Sequence, residues 1–222
     1  RHAITQSFFC HFTSPGYDWA SFHFGFSHRI ICKITQNHLV MLKLPCQPQQ
    51  FSGPLLVLLL SFLLFFLEPW SQVHLTYDRT LLQSGEWWRL LSGHLLHTNF
   101  NHLLLNAAGM LLLWALHGHY YRFFPYLGLM LFCALICSIG LYWGSPELIR
   151  YVGLSGILHG LFVWGAGMDI RHGIKSGWLL LMGLWGKVLY EQWAGPSQEV
   201  AKLINANVAI DAHLFGALAG ML

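Results

Sequence analysis

The chain has 222 residues; 9% are charged, 55% hydrophobic and 15% aromatic, and the formal charge is +3. Soluble domains carry about 25% charged residues, so a soluble enzyme would lack the charge to cover its surface, and a disordered chain would need the opposite balance. No basic stripe is available to neutralise phosphates, which argues against a nucleic-acid partner, and a mean hydropathy of +0.49 points to an integral membrane protein.

In chain order, residues 1–52 read as a poorly specified N-terminal extension, expected to be cytoplasmic. The first 50 residues hold five of the fourteen histidines and three of the five cysteines, Cys10, Cys32 and Cys46. They contain no signal-peptide core. The sequence starts at Arg1 rather than Met, which reads as a fragment or an unusual start. No CxxC spacing occurs, so neither a disulfide framework nor a zinc ligand set is expected. Cys133 and Cys137, one helical turn apart in an apolar run, read as packed thiols.

From residue 53 to 222 the apolar runs predict an all-α membrane domain. Six transmembrane helices are expected at 53–69, 95–116, 123–143, 153–169, 177–193 and 203–222; several reach the roughly 20 residues needed to cross a bilayer, and the fourth is short. The last is still apolar at Leu222, so the C-terminus reads as truncated. With the N-terminus inside, seven Lys or Arg fall on cytoplasmic segments and four on the opposite ones, which favours that orientation. Trp70, Trp87, Trp88, Trp143 and Trp193 would then lie near the outer interface.

Polar groups inside membrane helices are costly and mark candidate sites. Ser155, in Gly153-Leu154-Ser155-Gly156, opens the fourth helix, where backbone N–H groups can face an oxyanion. The competing reading is close helix packing through Gly156 and Gly160. His213 lies in the sixth helix, with Gly216 and Gly220 four apart, and can act as a general base. In the second helix His102 and Asn106 share a face and could donate to one developing negative charge. Helices two, four and six would run the same way, which brings all four side chains into the outer half of the bilayer. A serine, a base and two donors at one depth make the parts for nucleophilic acyl transfer.

These residues resemble a known family. Trp88-Arg89, His97-xxxx-His102-xxx-Asn106, Gly153-Leu154-Ser155-Gly156 and Ala212-His213-xx-Gly216-xxx-Gly220 match, in order and spacing, the rhomboid intramembrane serine proteases, over about residues 54–222. The stretches from Ser145-Pro146-Glu147 to His159-Gly160, Glu191-Gln192 and Asp211-Ala212-His213 look like the rhombosortase branch. The resemblance implies a six-helix rhomboid-like bundle whose Ser–His dyad has no acid. It implies Ser155 as nucleophile and His213 as base. Oxyanion donors would be His102, Asn106 and the Ser155 N–H. Gly153 and Gly156 would line the substrate cleft, and Trp88, Arg89, Gly216 and Gly220 would support the scaffold. It further implies cleavage, near the outer face, of membrane-anchored proteins with a C-terminal Gly-rich motif and apolar helix. The setting would be a bacterial inner membrane, with the site toward the periplasm. No cofactor and no metal are expected.

One departure is His159, where many rhomboids carry tyrosine. It lies four residues after Ser155, on the same face, so it reads as lining the cleft or contacting substrate, ahead of packing or a role as base. Asp211 is two residues from His213 and points to nearly the opposite face, so it is not expected to orient that ring. Lys187 and Glu191 read as an i,i+4 pair neutralising each other, and His117 and His119 as a solvated turn. The rival to a protease is an inactive rhomboid-like binding or trafficking protein, although such proteins usually lose the serine or histidine retained here. These motifs leave substrate identity and oligomeric state open.

Overall fold

The computed structural model describes residues 44–222; the readings on residues 1–43 lie outside the described residues. The first helix, α1 (Pro48–Phe66), starts five residues earlier than expected. Pro48 takes the first helical position, where its missing N–H costs nothing, and the Gln47 N–H donates to Gln50 Oε1 at 3.1 Å. A looped region follows, with α2 (Trp70–Leu75), β1 (Tyr77–Asp78), α3 (Arg79–Gln83) and α4 (Arg89–Ser92). Then come α5 (Phe100–His117), α6 (Phe123–Gly144), β2 (Arg150–Tyr151), α7 (Ser155–Arg171) and α8 (Ser176–Ala194). The chain ends in α9 (Gln198–Ile204) and α10 (Ile210–Ala219).

Two expected helices are corrected. The second begins at Phe100, not residue 95, because Asn99 caps it by accepting from the His102 N–H at 2.8 Å. The sixth is broken: α9 stops at Ile204, where the following Asn205 adopts a left-handed conformation, and α10 starts only at Ile210. Apolar composition alone cannot register such a stop. Among the described residues, three helices are long and apolar enough to cross a membrane: α1, α5 continued to Tyr120, and α6. Outward-facing side chains suit lipid: Leu59, Leu63, Leu111, Leu112, Leu131 and Leu179 are all exposed. Trp70, Trp87, Trp88, Trp143 and Trp193 are also exposed, near element ends.

α10 packs against α7, α6 and α8. Glycines permit this. A Cβ on Gly160 would lie 2.8 Å from the Gly216 carbonyl, and one on Gly216 or Gly220 would collide with the Gly156 or Gly160 carbonyl. The two GxxxG stripes therefore face each other, backbone against backbone. On the other side of α10, Phe215 fills the space left by Gly140 and Gly144 of α6.

The looped region is tied down by charge and backbone pairing. β1 and β2 pair antiparallel, with Tyr77 opposite Tyr151 and Asp78 opposite Arg150. Asp78 caps α3 through Thr80 N (3.0 Å) and Leu81 N (3.3 Å) and accepts from Arg150 Nε at 2.9 Å. Burial alone would raise the Asp78 carboxyl pKa, but hydrogen bonds from the Thr80 and Arg150 side chains and from the two amides outweigh it and hold the pKa at about 2. Arg89 is buried and donates to Glu86 Oε2 (2.7 Å), Thr76 O (2.8 Å) and Val73 O (3.0 Å), satisfying carbonyls at the end of α2. Trp88 Nε1 reaches His74 O at 3.1 Å. Arg79 similarly caps α6, donating to Tyr142 O at 2.7 Å and Ser145 O at 3.0 Å.

Candidate active site

The turn before α7 is set by glycine. Gly153 has φ +134°, a conformation L side chains rarely adopt, and a Cβ there would meet the His102 ring at 2.9 Å. Its N–H donates to Gly93 O at 3.2 Å, and Tyr151 OH donates to its carbonyl at 2.6 Å. The looped region thereby fixes where Ser155 begins its helix. As the first residue of α7, Ser155 keeps its N–H in the turn that lacks intrahelical partners.

Ser155 Oγ lies 3.1 Å from His213 Nε2. The Gly156–Gly216 crossing makes this contact possible: Gly156 is one residue after the serine, and Gly216 is one turn after His213. His213 is buried, at 6% exposure. His102 packs against Gly153, two residues before the serine. Its Nδ1 accepts from the Thr98 N–H at 3.3 Å, while Thr98 Oγ1 donates to Ile204 O at 2.6 Å. That leaves His102 Nε2 as the protonated nitrogen. Asn106 Nδ2 is buried without a hydrogen-bond partner among the described residues. Ser155, His102, Asn106, His159 and His213 all border one cavity of about 400 Å³, walled by Leu113, Leu158, Phe162 and Leu184. A second cavity of about 540 Å³ meets Ser155 and His102 from the looped side, beneath Asp78, Arg89 and Arg150.

Two other readings change, those of Glu191 and His117, while His159 keeps its place on the cavity wall. His159 is half-buried and stacks on His213, with centroids 4.1 Å apart and planes 14° from parallel. Its Nδ1 lies 2.8 Å from the Ser155 carbonyl and its Nε2 3.0 Å from Lys187 Nζ. Both nitrogens are therefore engaged away from Ser155 Oγ. Glu191 does more than neutralise Lys187: its Oε2 lies 2.9 Å from His213 Nδ1 as well as 2.8 Å from Lys187 Nζ. The implied absence of an acid does not hold for this geometry. His117 is fully buried, 3.3 Å from Asp169, rather than in a solvated turn; His119 is exposed.

Asp211 accepts from Ser145 Oγ at 2.5 Å and does not touch His213. Cys133 and Cys137 are buried free thiols, and Cys137 Sγ points to Ala212 O at 3.4 Å. His159, Glu191 and His213 offer ligand atoms within 4.8 Å of one another, a spacing that could hold a cation. The Lys187 ammonium fills that role: it is within 3.4 Å of each of the three.

The family described as Rhomboid domain matches residues 84–222. A relative from Bacillus subtilis (strain 168), "Putative rhomboid protease YdcA", is 31% identical over 175 residues, covering 72% of this chain and 79% of its own length.

Proposed function

The chain belongs to the rhomboid family, and from that premise we propose that this integral membrane protein is an intramembrane serine endopeptidase. The observation that carries the reading is the 3.1 Å contact between Ser155 Oγ and His213 Nε2 at the meeting of two cavities. In this reading α7, α8 and α10 complete a six-span bundle with α1, α5 and α6, and the site opens toward the periplasmic face of a bacterial inner membrane.

His213 Nε2 takes the Ser155 proton as Oγ attacks a peptide carbonyl. The proton then passes to the leaving amine as the C–N bond breaks, and water releases the acyl group by the reverse sequence. The tetrahedral oxygen is held by His102 Nε2–H, Asn106 Nδ2–H and the Ser155 N–H. The unpartnered Asn106 amide fits this role, because a preorganised donor needs its acceptor only when charge develops. Asn106→Ala is expected to lower cleavage about 10²–10³-fold, measured as turnover in detergent with KM recorded separately.

The substrate class follows from the rhombosortase-like stretches: secreted proteins held by a C-terminal Gly-rich motif and an apolar helix. A helix must unwind to present its carbonyl, and glycine lowers that cost. The cavity lined by Leu113, Leu158 and Phe162 suits an apolar segment arriving from lipid. The test is cleavage in liposomes of a reporter carrying such an anchor, beside one whose glycines are replaced by leucine. Cleavage at the glycines, lost in the leucine form, supports this substrate. Equal cleavage of both would reject the Gly-rich specificity, and no cleavage of either would reject the protease reading.

A further inference from the structure

Five groups around Ser155 form a closed circuit. Ser155 Oγ contacts His213 Nε2 (3.1 Å), and His213 Nδ1 contacts Glu191 Oε2 (2.9 Å). Glu191 Oε2 accepts from Lys187 Nζ (2.8 Å), Lys187 Nζ contacts His159 Nε2 (3.0 Å), and His159 Nδ1 returns to the Ser155 carbonyl (2.8 Å). Three of the five positions have only one consistent donor assignment. A carbonyl only accepts, so His159 Nδ1 carries its proton and Nε2 is bare. An ammonium only donates, so Lys187 gives one proton to His159 Nε2 and another to Glu191. A carboxylate only accepts, so His213 Nδ1 carries its proton and its Nε2 is bare, facing the serine hydroxyl.

The geometry points to Glu191 as the acidic positioning residue of His213, completing a Ser–His–Glu relay in place of an unassisted dyad. This inference rests on the protease reading above. Two physical arguments support it. First, a neutral imidazole can hold its proton on either nitrogen, and only the form protonated on Nδ1 can accept from Ser155; the carboxylate selects that form. Second, when His213 takes the serine proton it becomes a cation with the Lys187 ammonium only 3.4 Å from its Nδ1. Without an anion between them this repulsion would oppose proton transfer in a site of low dielectric. Glu191 Oε2 touches both cations and offsets it.

Lys187 has a second effect. It holds the Glu191 carboxylate, 13% exposed, in one rotamer and pins His159 against the His213 ring. His159 is then a stacked wall rather than a competing base. Glu191 and Lys187 lie on α8, whereas Ser155 is on α7 and His213 on α10, so the relay spans three helices.

Two measurements on the full chain in detergent test the inference. Nitrogen-15 NMR of histidine-labelled protein at neutral pH should find His213 of the wild type protonated on Nδ1. In Glu191→Gln, whose amide can donate to Nδ1, the proton should move to Nε2. Steady-state cleavage by Glu191→Gln should show kcat lowered about 10²–10⁴-fold with KM changed less than about threefold. A wild-type His213 protonated on Nε2, or a Glu191→Gln variant with wild-type kcat, would overturn it. The wild-type tautomer is read without any variant, so a folding failure of Glu191→Gln does not hide the answer. Failure of the wild type to cleave any anchored reporter would instead count against the protease reading, and the tautomer would still decide the position of Glu191.

Discussion

Replacing Ser155 by Ala is expected to lower cleavage of an anchored reporter about 10⁴–10⁶-fold while leaving the fold intact. The hydroxyl is the group that would form the acyl intermediate, and no neighbouring side chain can substitute for it. His159 is engaged at both nitrogens, and Cys133 and Cys137 are buried against other helices. Stability should change little, because the substitution removes one part-buried hydroxyl bonded to His213 and leaves the helix contacts in place. The residual rate should reflect the oxyanion donors and substrate positioning alone. A serine-directed fluorophosphonate probe should label the wild type and not Ser155→Ala. Cleavage retained in Ser155→Ala would sink the mechanism. An unlabelled, inactive wild type would instead favour an inactive rhomboid-like binding or trafficking protein.

The second large effect concerns the crossing of α7 and α10. Gly216→Val should destabilise the protein by several degrees in thermal melting and abolish most cleavage. A side chain there meets the Gly156 carbonyl, which is backbone and cannot rotate away. Relief requires the helices to separate, and overpacking of this kind costs about 1–3 kcal/mol or more. The same separation moves His213 away from Ser155, and a displacement of about 1 Å can cost about 10²-fold in rate. Gly183→Val on α8 is the control, since a Cβ there meets nothing within 4 Å. Equal damage from both substitutions would mean that valine in a helix, not the crossing, is responsible.

Much of this was legible in the chain itself. A residue pair at i,i+4 is a local relation, so the GxxxG stripes could be read as faces that admit close backbone approach, and the facing glycines of α7 and α10 bear that out. Helix existence was likewise legible from apolar runs. Helix ends were not: Asn99 caps α5 with a side chain, and Asn205 ends α9 in a conformation that hydropathy does not encode. The looped region between α1 and α5 was legible only as the place of Trp88-Arg89. Its attachments, Arg79 to the end of α6, Asp78 to Arg150 and Gly93 to Gly153, join residues 60 to 72 positions apart.

Glu191 shows the limit most clearly. The sequence paired it with Lys187, and that pair exists at 2.8 Å. A local pattern names the partner one turn away but not the neighbour across a helix interface. The sequence by itself determined a low-charge helical chain with a serine after a glycine turn, a histidine beside a glycine stripe, and polar groups on the second long helix. Tertiary structure decided the rest. Only the close crossing of α7 and α10 brings Ser155 within 3.1 Å of His213, and only the packing of α8 against both brings Glu191 within 2.9 Å of the far side of the same ring. Hydrogen bonds act over one atomic contact, so their partners are set by which helix faces meet, and that depends on the packing of the whole bundle.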